Sequence, residues 1–355
     1  MKAALVLEDG SAFEGVPFGA EGEALGETVF YTGVVGYQEV LTDPSFRRTL
    51  VVMTYPIVGC YGVNAEDGES PEAQARGIVV REYSPYYSNW RARGSLEDFL
   101  KERGIVGIRE VDTRAVAVHL RERGEMRGAI VSGDVDTGSV VRKLREMPSP
   151  YAADLVREVT SSGRRESAGA AKHRVALLDL GAKRSLLDQF AALGCSVDIF
   201  RSDAAAGDVL AKKPARVVAA GGPGDPQVPA AARETLRGLL GKVPVLGVGL
   251  GCEVLALAMG CAVKRMKVGH RGMNQSVREP GTGKCLVTSQ THGFAVEENK
   301  VPATVEVTHV NLNDGTVEGI RSREYPAAGI EFNPSPDEME RPSPFLARFL
   351  ERGHA

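Results

Sequence analysis

The chain has no apolar stretch long enough to span a bilayer, which argues against a transmembrane helix. Its five cysteines, Cys60, Cys195, Cys252, Cys261 and Cys285, contain no Cys-x-x-Cys pair and are odd in number. They read as reduced cytoplasmic thiols. No His-x-x-x-His or mixed Cys/His spacing links His119, His173, His270, His292, His309 and His354, so the spacing marks no metal site. The chain lacks Gly-x-x-x-x-Gly-Lys-Ser/Thr, and with it a P-loop for ATP. A formal net charge of −3 supplies no basic footprint, so nucleic acid is not an expected partner. The opening run Met-Lys-Ala-Ala-Leu-Val-Leu-Glu-Asp-Gly reads as a strand entering a turn, too short and too soon charged for a secretory signal. There is no internal repeat and no extended low-complexity run.

What is present is ordinary globular chemistry: 355 residues, 43% hydrophobic and 25% charged, enough chain for two domains with full cores. The small, polar, aperiodic run Ser161–Lys172 reads as an interdomain linker. The expected division is a first domain over 1–151, a linker over 152–172 and a second domain over 173–355. The first is rich in short strands and glycine turns, with strands expected at Ala3–Leu7, Glu27–Tyr31, Leu50–Tyr55 and Gly77–Arg81. Helices are expected at Ser95–Glu102 and Asp112–Arg123, the latter capped by Asp112, so this domain is mixed α+β.

After the linker, strands alternate with helices. Val175–Leu180, Ser196–Phe200, Arg216–Ala220 and Val243–Val248 read as buried strands, Arg184–Leu193 and Ala230–Leu240 as helices. That alternation predicts an α/β domain with an open, mostly parallel sheet. Ligands of such sheets sit beyond the carboxyl ends of the strands. The loops Gly221–Asp225 and Gly249–Gly251 both lie there and can share one pocket.

The second of these loops is the most informative feature. Val243 to Gly260 reads as an apolar strand, a glycine-bounded turn and an amphipathic helix. Such an elbow presents one side chain at its apex, two residues from each flanking glycine. Gly247 and Gly251 are the flanks and the apex is Gly249. The scaffold for nucleophilic attack is present without its attacking atom.

Other readings of these motifs are weaker. Gly247-Val248-Gly249-Leu250-Gly251 fails as a dinucleotide fingerprint because its third glycine position is Cys252 and no acidic residue closes a following strand. Gly221-Gly222-Pro223-Gly224-Asp225-Pro226 either faces backbone N–H groups toward an anion or is a plain tight turn. His292, in Thr-Ser-Gln-Thr-His-Gly-Phe, reads as a hydrogen-bonded structural histidine or as a pocket residue.

Taken together, these motifs resemble the small subunit of carbamoyl phosphate synthetase over nearly the whole chain. The matching runs are Gly36–Ser45, Thr54-Tyr55-Pro56, Ser88–Arg91, Val111–Arg114, Gly221–Pro226, Gly269–Gly272, Gln290–Phe294 and His309–Thr316. The resemblance implies a C-terminal class I glutamine amidotransferase domain that hydrolyses glutamine and passes ammonia to a large subunit. ATP and magnesium are then expected on that large subunit, with no cofactor in this chain. The chemistry needs a thiolate, a histidine and an orienting carboxylate.

In the family the thiol stands at the apex, here Gly249, and the other two members lie in a late His-Pro-Glu run. Here that run is Asn333-Pro334-Ser335, so all three members are replaced. The helix normally continues His-Gln and here reads Cys252-Glu253; the Asn expected before His292 is Thr291. The retained pocket-like positions are Ser45, Gly222, Gly224, Leu250, Gly293 and Phe294.

The expectation is therefore a small-subunit homologue that pairs with the large subunit in arginine and pyrimidine pathways without glutaminase activity of its own. One alternative is a repurposed metabolite-binding or regulatory module, with Glu253 and Thr291 reshaping the pocket. A second is a glutamine-dependent enzyme using a displaced Cys252–His292 pair.

Overall fold

The structure, a computed structural model, describes residues 2–161, 172–334 and 342–353, and the backbone of 165–167. It divides into two compact units, Met1–Pro150 with Lys267–Gly272, and Tyr151–Met266 with Met273–Ala355.

The first unit is built on a closed barrel. Its strands are β1 (Ala3–Leu7), β2 (Ala12–Gly19), β3 (Glu23–Tyr31), β4 (Thr49–Met53), β5 (Gly77–Val79), β6 (Val106–Arg109) and β7 (Met126–Ser132). They close in the order β1-β2-β6-β5-β4-β3-β7, which leaves no exposed barrel edge. The run Thr49–Met53 is apolar after its first residue because both of its faces are covered. Leu50 and Val52 join one buried cluster with Leu5 and Ile108, while Val51 and Met53 join another with Tyr31 and Phe46.

Both expected helices form, the second with its expected cap at Asp112 and the first with a cap at Ser95. The Ser95 hydroxyl accepts from Asp98 N at 3.1 Å at the head of α1 (Leu96–Glu102), and Asp112 Oδ1 accepts from Ala115 N at 3.0 Å at the head of α2 (Thr113–Arg123). Expected strand ends at Tyr55 and Arg81 fray two residues early.

The short helix Tyr37–Thr42 in this unit carries Glu39, whose Oε2 is buried without a partner among the described residues. Burial, with Asp67 and Glu69 adding negative charge nearby, pushes its carboxyl up from 4.5 to about 7. The folded state therefore holds this proton up to about pH 7, whereas the unfolded chain releases it near 4.5. Stability from this group falls as pH rises through that window and is level above it. Glu39→Gln is expected to remove that slope, so the variant gains on the parent between about pH 5 and about pH 8. Paired denaturant titrations at those two pH values test it, and an equal difference at both sinks it.

The second unit is a doubly wound sheet. Its strands are β8 (Arg165–Ser167), β9 (His173–Asp179), β10 (Cys195–Arg201), β11 (Arg216–Ala220), β12 (Val245–Val248), β13 (Val263–Arg278), β14 (Cys285–Val296), β15 (Val305–Asn311), β16 (Val317–Ser322) and β17 (Ala327–Ile330). The order is β8-β10-β9-β11-β12-β17-β16-β15-β13-β14. Strands β10, β9, β11, β12 and β17 run parallel, and β16 turns the sheet antiparallel.

Alternation along β9 explains the layers. Ala176 and Leu178 face a cluster with Leu236 of α4 (Ala230–Leu239) and Val254 of α5 (Leu250–Ala258). Val175 and Leu177 face Leu186 and Phe190 of α3 (Arg184–Ala192) and Phe349 of α6 (Pro344–Arg352).

One expectation needs correction. Arg165–Ser167, read as linker, forms the edge strand β8, antiparallel to β10. A three-residue edge strand needs backbone pairing alone and leaves no side-chain period to read. Residues 162–164 and 168–171 of the same stretch lie outside the described residues. Strand β12 also begins at Val245 rather than Val243. Pro244 precedes it and has no N–H to give to the ladder.

Candidate functional site

The elbow joins β12 to α5, and Gly249 stands at its apex with φ +57° and ψ −127°. Side chains rarely adopt that backbone; glycine does so without penalty. The Gly249 N–H donates to Ile330 O at 2.8 Å, which ties the apex to the end of β17. A Cβ built on Gly249 would meet nothing within 4 Å. The apex therefore opens into space, as a nucleophile position requires, and no side chain occupies it.

The neighbouring loop belongs to the same edge. Gly221 N donates to Val248 O at 3.1 Å, and a Cβ on Gly222 would stand 2.6 Å from Leu250 Cδ2 and 2.5 Å from Leu180 O. Gly222 has φ +115° and Gly224 φ +95°, so the turn is one that glycine makes readily. Leu250 is buried beneath it. The structure thus brings Gly222, Gly224, Leu250 and Gly249 to one end of the sheet.

Asn333 lies just past β17, where its N–H donates to Ser289 O at 2.8 Å. Its side chain is an amide, which cannot act as a base near neutral pH. Ser335 lies outside the described residues. Ser45 belongs to the first unit, in the turn Pro44–Phe46, with its N–H donating to Asp43 Oδ1 at 2.9 Å.

Strand alternation separates the remaining pocket-like residues on β14. His292 and Phe294 are buried on one face, while Thr291 and Gly293 are half-buried on the other. Phe294 packs into a core cluster with Cys252 and Ala256 and meets Tyr151 edge-on, with ring centroids 5.5 Å apart.

Cys252 is fully buried, and a Cβ on Gly329 of β17 would stand 2.6 Å from its Sγ. The thiol thus packs against the β17 backbone. Burial, then the neighbouring carboxyls of Glu331 and Glu253, push this thiol well above its usual range. His292 Nδ1 lies 2.8 Å from Phe294 O, and Nε2 lies 3.2 Å from Gln290 Oε1 and 3.6 Å from Glu318 Oε2.

Glu253 of α5 and Glu331 beyond β17 are buried in the same region. Burial raises both carboxyls well above the carboxylate range, with Asp225 and Glu318 adding to Glu253, and Glu253 and Glu318 adding to Glu331. Glu331 carried no signal in the sequence, because nothing in its local pattern tells which distant residues it meets.

The second unit is thus a class I glutamine amidotransferase-like domain, and that family's model matches residues 176–350; the model of the carbamoyl-phosphate synthase small chain, CPSase domain, matches residues 5–130. Three relatives bear the name carbamoyl phosphate synthase small chain. That of Syntrophotalea carbinolica is 43% identical over 99% of this chain and 96% of its own length. Those of Bacillus caldolyticus and Akkermansia muciniphila are 42% and 40% identical, covering 99% and 98% of this chain and 96% of each relative. The chain belongs to the carbamoyl phosphate synthase small-chain family. Among its described residues, no helix is long and apolar enough to cross a membrane.

Proposed function

We propose that this chain pairs with a large, ATP-using carbamoyl phosphate synthetase subunit in the cytoplasm and does not hydrolyse glutamine itself. ATP and magnesium act on the large subunit, and the product serves arginine and pyrimidine synthesis. The observation that carries the reading is the bare apex at Gly249, held in elbow geometry with open space above it. Without a nucleophile no acyl-enzyme forms. Asn333 at the end of β17 supports the reading, since an amide supplies no base. A carboxyl at Glu253 adds to it, because it offers at most one donor to the glutamine pocket where an amide offers two.

The displaced Cys252 is a poor substitute. A buried thiol flanked by carboxyls stays protonated, and only the thiolate attacks an amide.

The test is carbamoyl phosphate synthesis by the cognate large subunit, with and without this chain, on ammonium or glutamine. Stimulation on ammonium alone is expected. Stimulation on glutamine overturns the loss of glutaminase activity, and no effect with either donor overturns the pairing. The second reading, a metabolite-binding module, draws on the unpartnered oxygens of Glu253 and Glu331, which leave the pocket acidic.

A further inference from the structure

Glu253 and Glu331 are each only 2% exposed, yet Glu253 Oε1 and both Glu331 oxygens have no oxygen or nitrogen hydrogen-bond partner among the described residues, and only the weak Cys252 thiol stands beside Glu331. Glu318, equally buried, shows the contrast. Its Oε1 accepts from Asn311 Nδ2 at 3.0 Å and its Oε2 from Gln290 Nε2 at 2.9 Å. Buried carboxylate oxygens without donors are strongly unfavourable, so a proton or a cation has to stand beside them. A neutral carboxyl carries an O–H that itself needs an acceptor, and the Glu331 oxygens have no oxygen or nitrogen partner among the described residues.

His292 points the same way. Nδ1 faces Phe294 O and Nε2 faces Gln290 Oε1, and both are acceptors. The Gln290 amide is oriented by donation from its own Nε2 to Glu318. A neutral imidazole that gives its one N–H to Phe294 O keeps the Nε2 lone pair for an ion. One donor atom from each of Glu253, His292 and Glu331 lies within 4.8 Å of the other two. Two ligands of one ion stand up to about 4.5 Å apart, a gap that small side-chain rotations close.

We propose that Glu253, His292 and Glu331 form a binding site for one divalent transition-metal ion. Two carboxylates and one imidazole are hard-to-borderline donors, which fits Mn(II), Fe(II) or Zn(II) rather than a soft metal. The ligands come from α5, from β14 and from the segment beyond β17, so the ion would cross-link helix and sheet one helical turn from Gly249. The site stands whether or not the chain pairs with a large subunit, and its test involves no large subunit.

The full chain, stripped with a chelator, is titrated with Mn(II) and with Zn(II) while metal content and thermal unfolding are followed. One ion per chain and a concentration-dependent rise in Tm are expected. The double variant Glu253→Gln/Glu331→Gln is expected to bind at least about 100-fold more weakly, beyond the loss typical of groups that merely support ligands. No stoichiometric uptake overturns the proposal, and so does uptake that survives the double variant. Should that variant fail to fold, X-ray absorption of the zinc-loaded parent decides. Oxygen ligation with one imidazole supports the site, and a sulfur ligand or no imidazole overturns it.

Discussion

Gly249→Cys is expected to return a thiol to the elbow apex and still leave glutamine hydrolysis about a million-fold below an intact Cys-His-Glu site. The thiol itself should be accommodated, because a Cβ at Gly249 meets nothing within 4 Å. Its backbone, at φ +57° and ψ −127°, then carries strain of about 1–3 kcal/mol, which a fold of this size tolerates. Activation is what fails. The position that the family resemblance assigns to the base is Asn333, whose amide takes no proton, and the assigned orienter is Ser335. Members of such a unit are far from additive, so one restored member recovers almost nothing. Two readouts separate placement from activation. Alkylation by iodoacetamide at residue 249 should appear, while glutamate release stays at background. Substantial turnover in the single variant would falsify the assignment of Asn333 as the missing base. The triple variant Gly249→Cys/Asn333→His/Ser335→Glu should exceed the single one.

The elbow was legible because its requirements are local. Glycines two residues either side of an apex, after an apolar strand and before an amphipathic run, state a turn type on their own. The same holds for Asp112, whose side chain caps the helix it precedes. The parallel core was legible because both faces of its strands are covered, which writes a near-continuous apolar run such as Val175–Leu180. The antiparallel half, β13 to β16, carries no such signature. Strand β13 mixes exposed and buried residues over 16 positions without a clean period. The cluster of Glu253, His292 and Glu331 was hidden for another reason. Each ligand belongs to a different element, so metal-ligand spacing rules find nothing to count. Strand alternation also divides what adjacency in sequence unites: Thr291 and His292 are neighbours in the chain but lie on opposite faces of β14.

Gly251→Ala is expected to destabilise the second unit by on the order of 4 kcal/mol or more. A Cβ there would stand 2.0 Å from Ala219 O and 2.5 Å from Ala219 C, both backbone atoms of β11. No rotamer relieves a clash with backbone, so α5 would have to lift off the sheet. The helix cannot lift freely, because it is seated at two further glycines. A Cβ on Gly247 of β12 would meet Gly251 O at 2.5 Å, and one on Gly329 of β17 would meet Cys252 Sγ at 2.6 Å. Three backbone surfaces therefore converge under the first turn of α5, and that convergence aims the apex at open space. Gly249→Ala is the control, since it adds the same methyl two residues away with strain of about 1–3 kcal/mol and no clash. Urea unfolding of the two variants should therefore show Gly251→Ala as the more damaging by a wide margin. Equal losses would mean that backbone strain at the apex outweighs close packing, and the elbow would then be held by its turn rather than by its seat on the sheet. With the predicted order, the elbow shape around a bare glycine apex has a physical cause. The glycines that seat α5 also support the core of the second unit, so the seat is under structural constraint whatever stands at residue 249.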